Sequence, residues 1–332
     1  MREIPPTKLS KALKVNALAG LDSMIWGPPG VGKSDIARQV ADDLGAQFFE
    51  IRANLYDPVD VRGGLKVEKQ DDGSYRTKYG VPEDYPDPDL LGPVCMFLDE
   101  LPNAPKATMN AFLQLTLDKK LGTYICPKDT FIIAAGNRAI DRAAVHEMPT
   151  PLKGRFQHYT VEANLDDFCA WGYRNNIDPS ITSFLRYRPK LLHDIDPSQY
   201  ASPTPRTWAF LSQKLPFMND MFYDTASCVG DGPAGEYLAY KAIYKDLPDV
   251  NDIMTKPSST QVPVDTAVLY AVCGLIASVV DQTNFKNAMK YISRLPSEYQ
   301  VIAVRDVLAK DRTLTQEPSF TKWTEKNADV FL

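Results

Sequence analysis

Through the first half of the chain, short apolar runs alternate with stretches whose apolar residues recur every third or fourth position, the order expected of a sheet covered by helices. The runs Ser23–Trp26, Phe48–Arg52, Val94–Leu98, Phe131–Ala135 and Gln157–Val161 predict five strands, largely parallel. Between them, Lys33–Leu44 sets Ile36, Val40 and Leu44 on one helical face with Gly45 as its stop, and Ala107–Leu117 does the same with Met109, Phe112, Leu113 and Leu117. Residues 53–93 break the alternation. There Leu65–Glu68 and Tyr75–Tyr79 flank Asp71-Asp72-Gly73, which reads as a hairpin, and a Pro/Asp-rich stretch from Val81 to Pro93 leads back. From Leu165 the strand signal fades and helical patterns take over, with joints at Pro189, Pro197, Pro203, Pro205 and Pro216. The expected architecture is α/β: an αβα sandwich over residues 1–163 with an insert at about 53–93 on its rim, then an all-α region over residues 164–332.

The first strand run leads into Gly27-Pro28-Pro29-Gly30-Val31-Gly32-Lys33-Ser34, a complete G-x-x-x-x-G-K-S sequence between a strand and a helix. Phosphate binding explains each residue type. Glycines at 27, 30 and 32 let backbone N–H groups close on an anion that a Cβ would hold off, and the helix starting near Lys33 adds the positive end of its dipole. Lys33 then supplies a point charge to the β- and γ-phosphate oxygens, and the Ser34 hydroxyl suits the accompanying Mg²⁺ ion.

Further along, the apolar run Val94-Cys95-Met96-Phe97-Leu98 ends in Asp99-Glu100. Open α/β sheets gather ligands at the C-terminal edge of their strands, so Asp99 is expected to reach the same Mg²⁺ and Glu100 to orient and deprotonate a water attacking the γ-phosphate. Phe131–Ala135 leads to Gly136-Asn137-Arg138, where the Asn137 amide would stand beside that water. An asparagine after a strand is also an ordinary turn residue, and by itself this position leaves both readings open.

Composition narrows the partners. A chain of 332 residues, 44% hydrophobic, can bury one large core and a smaller one, and its net charge of −5 offers no overall basic field to nucleic acid. Cys95, Cys126, Cys169, Cys228 and Cys273 form no C-x-x-C pair and stand apart from His146, His158 and His193, so neither a zinc site nor a disulfide framework is expected. The start of the chain has no apolar signal core, and the apolar stretch Val264–Val280 is broken by Asp265, which together predict a cytoplasmic protein without a membrane span. Arg62, Lys66, Lys69, Arg76 and Lys78 of the insert are nearly balanced by Asp60, Glu68, Asp71 and Asp72, which favours a protein contact over nucleic acid. His158 and the tryptophans read as structural, and Asp118-Lys119-Lys120 as a solvated helix end.

In order, the phosphate loop, the Asp99-Glu100 strand end, Ala134-Ala135-Gly136-Asn137-Arg138, Gly154-Arg155-Phe156 and Pro205-Arg206 resemble the AAA+ ATPases. Asp57-Pro58-Val59-Asp60-Val61-Arg62-Gly63, Asp99-Glu100-Leu101-Pro102-Asn103-Ala104 and Phe184-Leu185-Arg186-Tyr187-Arg188-Pro189 are similar to the MoxR-type subgroup; the resemblance spans about Leu21 to Leu211. It implies that Asn137 is the sensor-1 residue, that Arg155 is an arginine finger offered to a neighbouring subunit, and that Arg206 is sensor 2, reaching from a helical lid. Gly154 stands where asparagine is common in relatives, and Ser202-Pro203-Thr204-Pro205 is a longer approach to sensor 2 than usual. The resemblance further implies ATP and Mg²⁺ as cofactors, a hexameric ring, and remodelling or chaperone-like activation of a protein complex beside a partner with a von Willebrand A-type domain. A clamp-loader or helicase-like nucleic-acid motor shares the same ATPase elements, and a nucleotide-gated scaffold with little turnover is a further alternative. The balanced insert counts against the first, and Asp99 with Glu100 against the second.

Overall fold

The computed structural model describes residues 2–141 and 146–327, which divide into two compact units, Met1–Glu162 and Ala163–Leu332. In the first unit the strands are β1 (Glu3–Ile4), β2 (Asp22–Trp26), β3 (Gln47–Arg52), β4 (Leu65–Lys69), β5 (Tyr75–Tyr79), β6 (Val94–Asp99), β7 (Lys120–Leu121), β8 (Tyr124–Ile125), β9 (Thr130–Gly136) and β10 (Phe156–Val161). Six of them form one sheet in the order β1-β10-β2-β9-β6-β3, with every neighbouring pair parallel. Helices α1 (Pro6–Leu18), α2 (Lys33–Asp43), α3 (Pro58–Arg62), α4 (Lys106–Ala111), α5 (Leu113–Asp118) and α6 (Thr150–Lys153) complete the unit. α1 packs on β10, β2 and β9, and α2 on β3, β6 and β9. Val94 to Leu98 are all fully buried, as a strand covered on both faces must be, which is why β6 reads as an unbroken apolar run.

The strand order positions everything that follows. β9 lies between β2 and β6, with Trp26 opposite Gly136 and Leu98 opposite Ala134, so three strand ends meet side by side at one edge. The sequence pattern predicts five strands; the sixth is β1, which extends the edge by pairing Glu3 with Thr160 and Ile4 with Val161. Two residues cut off by Pro5-Pro6 make no apolar run, and only the β10 edge brings them into a sheet. The single helix expected over Ala107–Leu117 is two, α4 and α5, interrupted at the fully buried Phe112. Gly45, at φ +63, ends α2's C-terminal turn in the left-handed conformation that a stop requires.

The insert carries its own ladder, β4 paired antiparallel with β5 around a turn in which Gly73 takes φ +82. Its ends cross tightly: Gly63 has φ +90, and a Cβ there would lie 1.7 Å from the Gly80 carbonyl oxygen. Lys66 and Lys78 both pair with Glu68 on one face of the hairpin, while Leu65, Val67 and Tyr75 are exposed.

The second unit is helical among its described residues: α7 (Leu165–Arg174), α8 (Pro179–Tyr187), α9 (Pro205–Lys214), α10 (Met221–Val229), α11 (Asp231–Ala242), α12 (Val250–Thr255), α13 (Thr266–Val279), α14 (Phe285–Ile292), α15 (Ser297–Lys310) and α16 (Pro318–Lys326). Polar side chains start several of them by accepting from the first free N–H groups: Asn164 from Asp167, Asp178 from Ser180, Thr204 from Thr207, and Asp265 from Ala267 and Val268. α13 is buried along most of its length, which explains the apolar stretch beginning at Val264. Phe184 packs against Trp208, Tyr237 and Tyr240 in one cluster. α8 and α15 are further tied by Arg186 and Asp306, both buried, whose carboxylate also accepts from the Tyr173 hydroxyl at 2.9 Å. Among the described residues no helix is long and apolar enough to cross a membrane.

Candidate nucleotide site

β2 ends at Trp26 and α2 begins at Lys33; the chain between them turns through Gly30 at φ +75 and Gly32 at φ +91. Both values lie where a Cβ is strained, so a residue other than glycine would reopen the loop. Gly27 is needed for a different reason. Its N–H donates to the Gly136 carbonyl at 3.3 Å, and a Cβ on it would meet Val161 Cγ1 at 2.7 Å. Lys33 is 7% exposed, and a buried ammonium needs acceptors. Its Nζ donates to the Gly27 carbonyl at 2.9 Å, the Pro28 carbonyl at 3.1 Å and Asn137 Oδ1 at 2.7 Å.

The acidic strand end closes the other side. Asp99 Oδ2 accepts from the Ser34 hydroxyl at 3.4 Å, and Oδ1 from the Glu100 N–H at 3.0 Å. Burial pushes the Asp99 carboxyl above the usual carboxylate range, opposed by that backbone hydrogen bond and the nearby Lys33 charge. Glu100 stands at φ 53 and ψ 30, left-handed for a residue with a Cβ, a conformation that costs about 1–2 kcal/mol. Strained backbone of this kind concentrates at functional sites. The turn carries the Glu100 carboxylate to Asn137, whose Nδ2 donates to Oε2 at 3.4 Å. Lys33, Asn137 and Glu100 therefore form one connected chain.

The arrangement fits a phosphate and a hard cation. A cradle with no room for a Cβ at Gly27, the start of α2, and the Lys33 ammonium suit an anion, while the Ser34 hydroxyl and Asp99 carboxylate are the oxygen donors that Mg²⁺ takes.

Of the residues singled out in the sequence, the loop from Gly27 through Pro28, Pro29, Gly30, Val31 and Gly32 to Lys33 and Ser34 meets Asp99, Glu100 and Asn137 at this edge. Arg155 does not join them. It is exposed and precedes β10, whose first residue, Phe156, lies opposite Asp22 at the start of β2; the loop lies beyond Trp26 at the other end. About 13 Å of strand, at about 3.3 Å per residue, separates those ends. Arg206 stands exposed on the first turn of α9, in the second unit. Arg138, next to Asn137, is held in a fork with Asp141 and also reaches Glu3.

Some contacts had no signal in the sequence. Lys119, expected to be a solvated helix end, instead pairs with Asp22, which is 5% exposed and also accepts from the Ile132 N–H. Lys119 itself ends α5 in the left-handed conformation, at φ 53. Gly136 is another: a Cβ there would lie 2.4 Å from Pro102 Cγ and Cδ, so the turn Leu101–Asn103 after Glu100 rests directly on the end of β9.

Residues 6–146 match the family model described as the MoxR domain in the MoxR-vWA-beta-propeller ternary systems. No curated protein matches the chain. Solved structures with partial similarity include NtrX from Brucella abortus, at 16% identity over 97% of this chain and 66% of that one with a TM-score of 0.43. The chain thus spans a little under two thirds of NtrX. The RuvB Holliday junction branch migration motor from Thermotoga maritima is similar at 15% identity over 94% of this chain and 88% of that one, with a TM-score of 0.35. The matched segment, residues 6–146, is the one that holds the phosphate loop, the acidic strand end and Asn137, and over it the chain is similar to the MoxR domain.

Proposed function

We propose that this protein binds ATP with Mg²⁺ and hydrolyses it in a ring, using the cycle to remodel or activate a protein complex. One observation carries the reading: Lys33, Ser34, Asp99, Glu100 and Asn137, from three separate stretches of sequence, converge at the C-terminal edge of β2, β6 and β9. Lys33 neutralises the β- and γ-phosphates. Ser34 and Asp99 would hold Mg²⁺, whose charge draws electron density from the phosphate oxygens. Glu100 takes the proton of the attacking water, and Asn137, already bonded to Glu100, orients it.

Arg155, at the far end of β10 from its own loop, is suited to a neighbour's γ-phosphate rather than to its own, and a guanidinium in that position contributes about 10³–10⁵ in rate. Arg206 acts as sensor 2 from the helical unit. Loss of the γ-phosphate removes the attractions of Asn137, Arg206 and the neighbour's Arg155, giving two states linked to turnover. The family model's own description, which names MoxR-vWA-beta-propeller systems, supports a von Willebrand A-type partner. A hexamer and a cytoplasmic setting complete the proposal.

The test is Glu100→Gln, which preserves the amide contact to Asn137 but cannot accept a proton. ATP binding by calorimetry should persist while turnover falls by at least about 100-fold, the lower range for general-base loss. Wild-type hydrolysis by that variant would remove Glu100 from the base role.

A further inference from the structure

Within the first unit, the imidazole of His158 on β10 joins the residue before the phosphate loop to the segment that ends in Arg155. The indole Nε1 of Trp26 donates to His158 Nδ1 at 3.0 Å, and His158 Nε2 lies 2.8 Å from the Lys153 carbonyl oxygen. An indole nitrogen only donates and a carbonyl only accepts. Both bonds therefore exist together in one form of the ring, neutral with its hydrogen on Nε2.

Each end of this relay matters for a different reason. Trp26 is the last residue of β2, directly before Gly27. Lys153 is the last residue of α6, and its carbonyl is one of those that a helix end leaves without an intrahelical donor; His158 supplies that donor. Arg155 follows two residues later, with its N–H returned to the Leu152 carbonyl at 3.1 Å and its side chain exposed. The point from which Arg155 projects is thus set by the backbone of residues 152–155. The ring is confined as well, its plane within 18° of the Trp26 indole with centroids 6.2 Å apart, as their edge-to-edge hydrogen bond requires, and edge-on to Phe156 at 6.4 Å.

We infer that His158 is a positioning residue for Arg155: its Nε2–H, kept in that tautomer by Trp26, fixes the site from which Arg155 reaches the neighbouring subunit's γ-phosphate. The inference rests on the trans role of Arg155 proposed above. His158 touches both its own subunit's loop, through Trp26, and the Arg155 segment that serves a neighbour. The consequences of losing it therefore separate by subunit.

His158→Phe retains an aromatic ring beside Trp26 and removes both hydrogen bonds. In the assembled full-length protein it should lower kcat by at least about tenfold with less than about a twofold change in KM for ATP, since a misplaced group costs rate rather than ground-state binding. Mixed with Glu100→Gln subunits, whose Arg155 is intact and whose own sites are silent, His158→Phe sites should regain turnover, as Arg155→Ala sites should. If Arg155→Ala is rescued and His158→Phe is not, the defect lies in the subunit's own loop and the inference is overturned. Wild-type kcat in unmixed His158→Phe overturns it equally. Failure to rescue Arg155→Ala refutes instead the trans role on which the inference rests. Trp26→Phe provides the test if His158→Phe does not fold: with the indole donor gone the ring can change tautomer, and a smaller loss of kcat, rescued in the same mixture, is expected. A loss that the mixture does not rescue counts against His158 as surely as in the first variant.

Discussion

Adding a methyl group at Gly136 probes how closely two strand ends must approach for the site to work. Gly136 closes β9 one residue before Asn137, and its φ is not among the positive glycine values, so alanine suits the backbone and only space opposes it. The new Cβ would lie 2.4 Å from Pro102 Cγ and Cδ and 3.2 Å from Met24 Cε. Carbon atoms in contact sit about 3.5–4.0 Å apart, so relief requires a movement of about 1 Å. Either Asn137 moves with the end of β9 or Glu100 moves with the turn Leu101–Asn103. Overpacking of this size costs about 1–3 kcal/mol, read as a fall in Tm of about 2–4 °C for each kcal/mol. A 1 Å error at a catalytic group costs about 100-fold in rate. The assay is a double-mutant cycle of Gly136→Ala and Pro102→Ala, following Tm and ATPase kcat. Pro102→Ala deletes the two atoms in the way, so the pair should recover most of both losses, with a coupling of at least about 1 kcal/mol. An additive cycle, or a Gly136→Ala protein indistinguishable from wild type, would refute the reasoning.

Two further outcomes are expected. Burial raises the Asp99 carboxyl's folded pKa above its unfolded value, so its contribution to stability is present below the unfolded pKa and is lost as pH rises through the folded one. Asp99→Asn should therefore raise Tm at pH 7 in the absence of Mg²⁺, with the gain shrinking towards pH 4, and should abolish Mg²⁺-dependent hydrolysis; a lower Tm at pH 7 would contradict the assignment. In the second unit, Arg186→Ala strands Asp306, which is 1% exposed, and should cost about 3–5 kcal/mol in chemical denaturation, whereas a loss below about 1 kcal/mol would show the pair to be dispensable.

What the sequence determined by itself was local. Gly27 to Ser34 demands a tight loop entering a helix, because its glycines and its Lys-Ser pair act within a few residues of one another. The apolar run closing in Asp99-Glu100 demands a buried strand with charge at its end, and period and proline joints separate an α/β half from a helical one. β1 escaped notice because two residues carry no period, and an edge strand of that length exists only where β10 offers hydrogen bonds to it. Which remote groups meet was decided by tertiary structure. Insertion of β9 between β2 and β6 brought Asn137 to Lys33 and Glu100, rested Pro102 on Gly136, and left Arg155 at the opposite end of β10. The pairing of Lys119 with Asp22 and the place of His158 between Trp26 and Lys153 arose in the same way. Such contacts depend on strand order and register, which are settled by burying the whole sheet at once, and no short window of residues contains that choice.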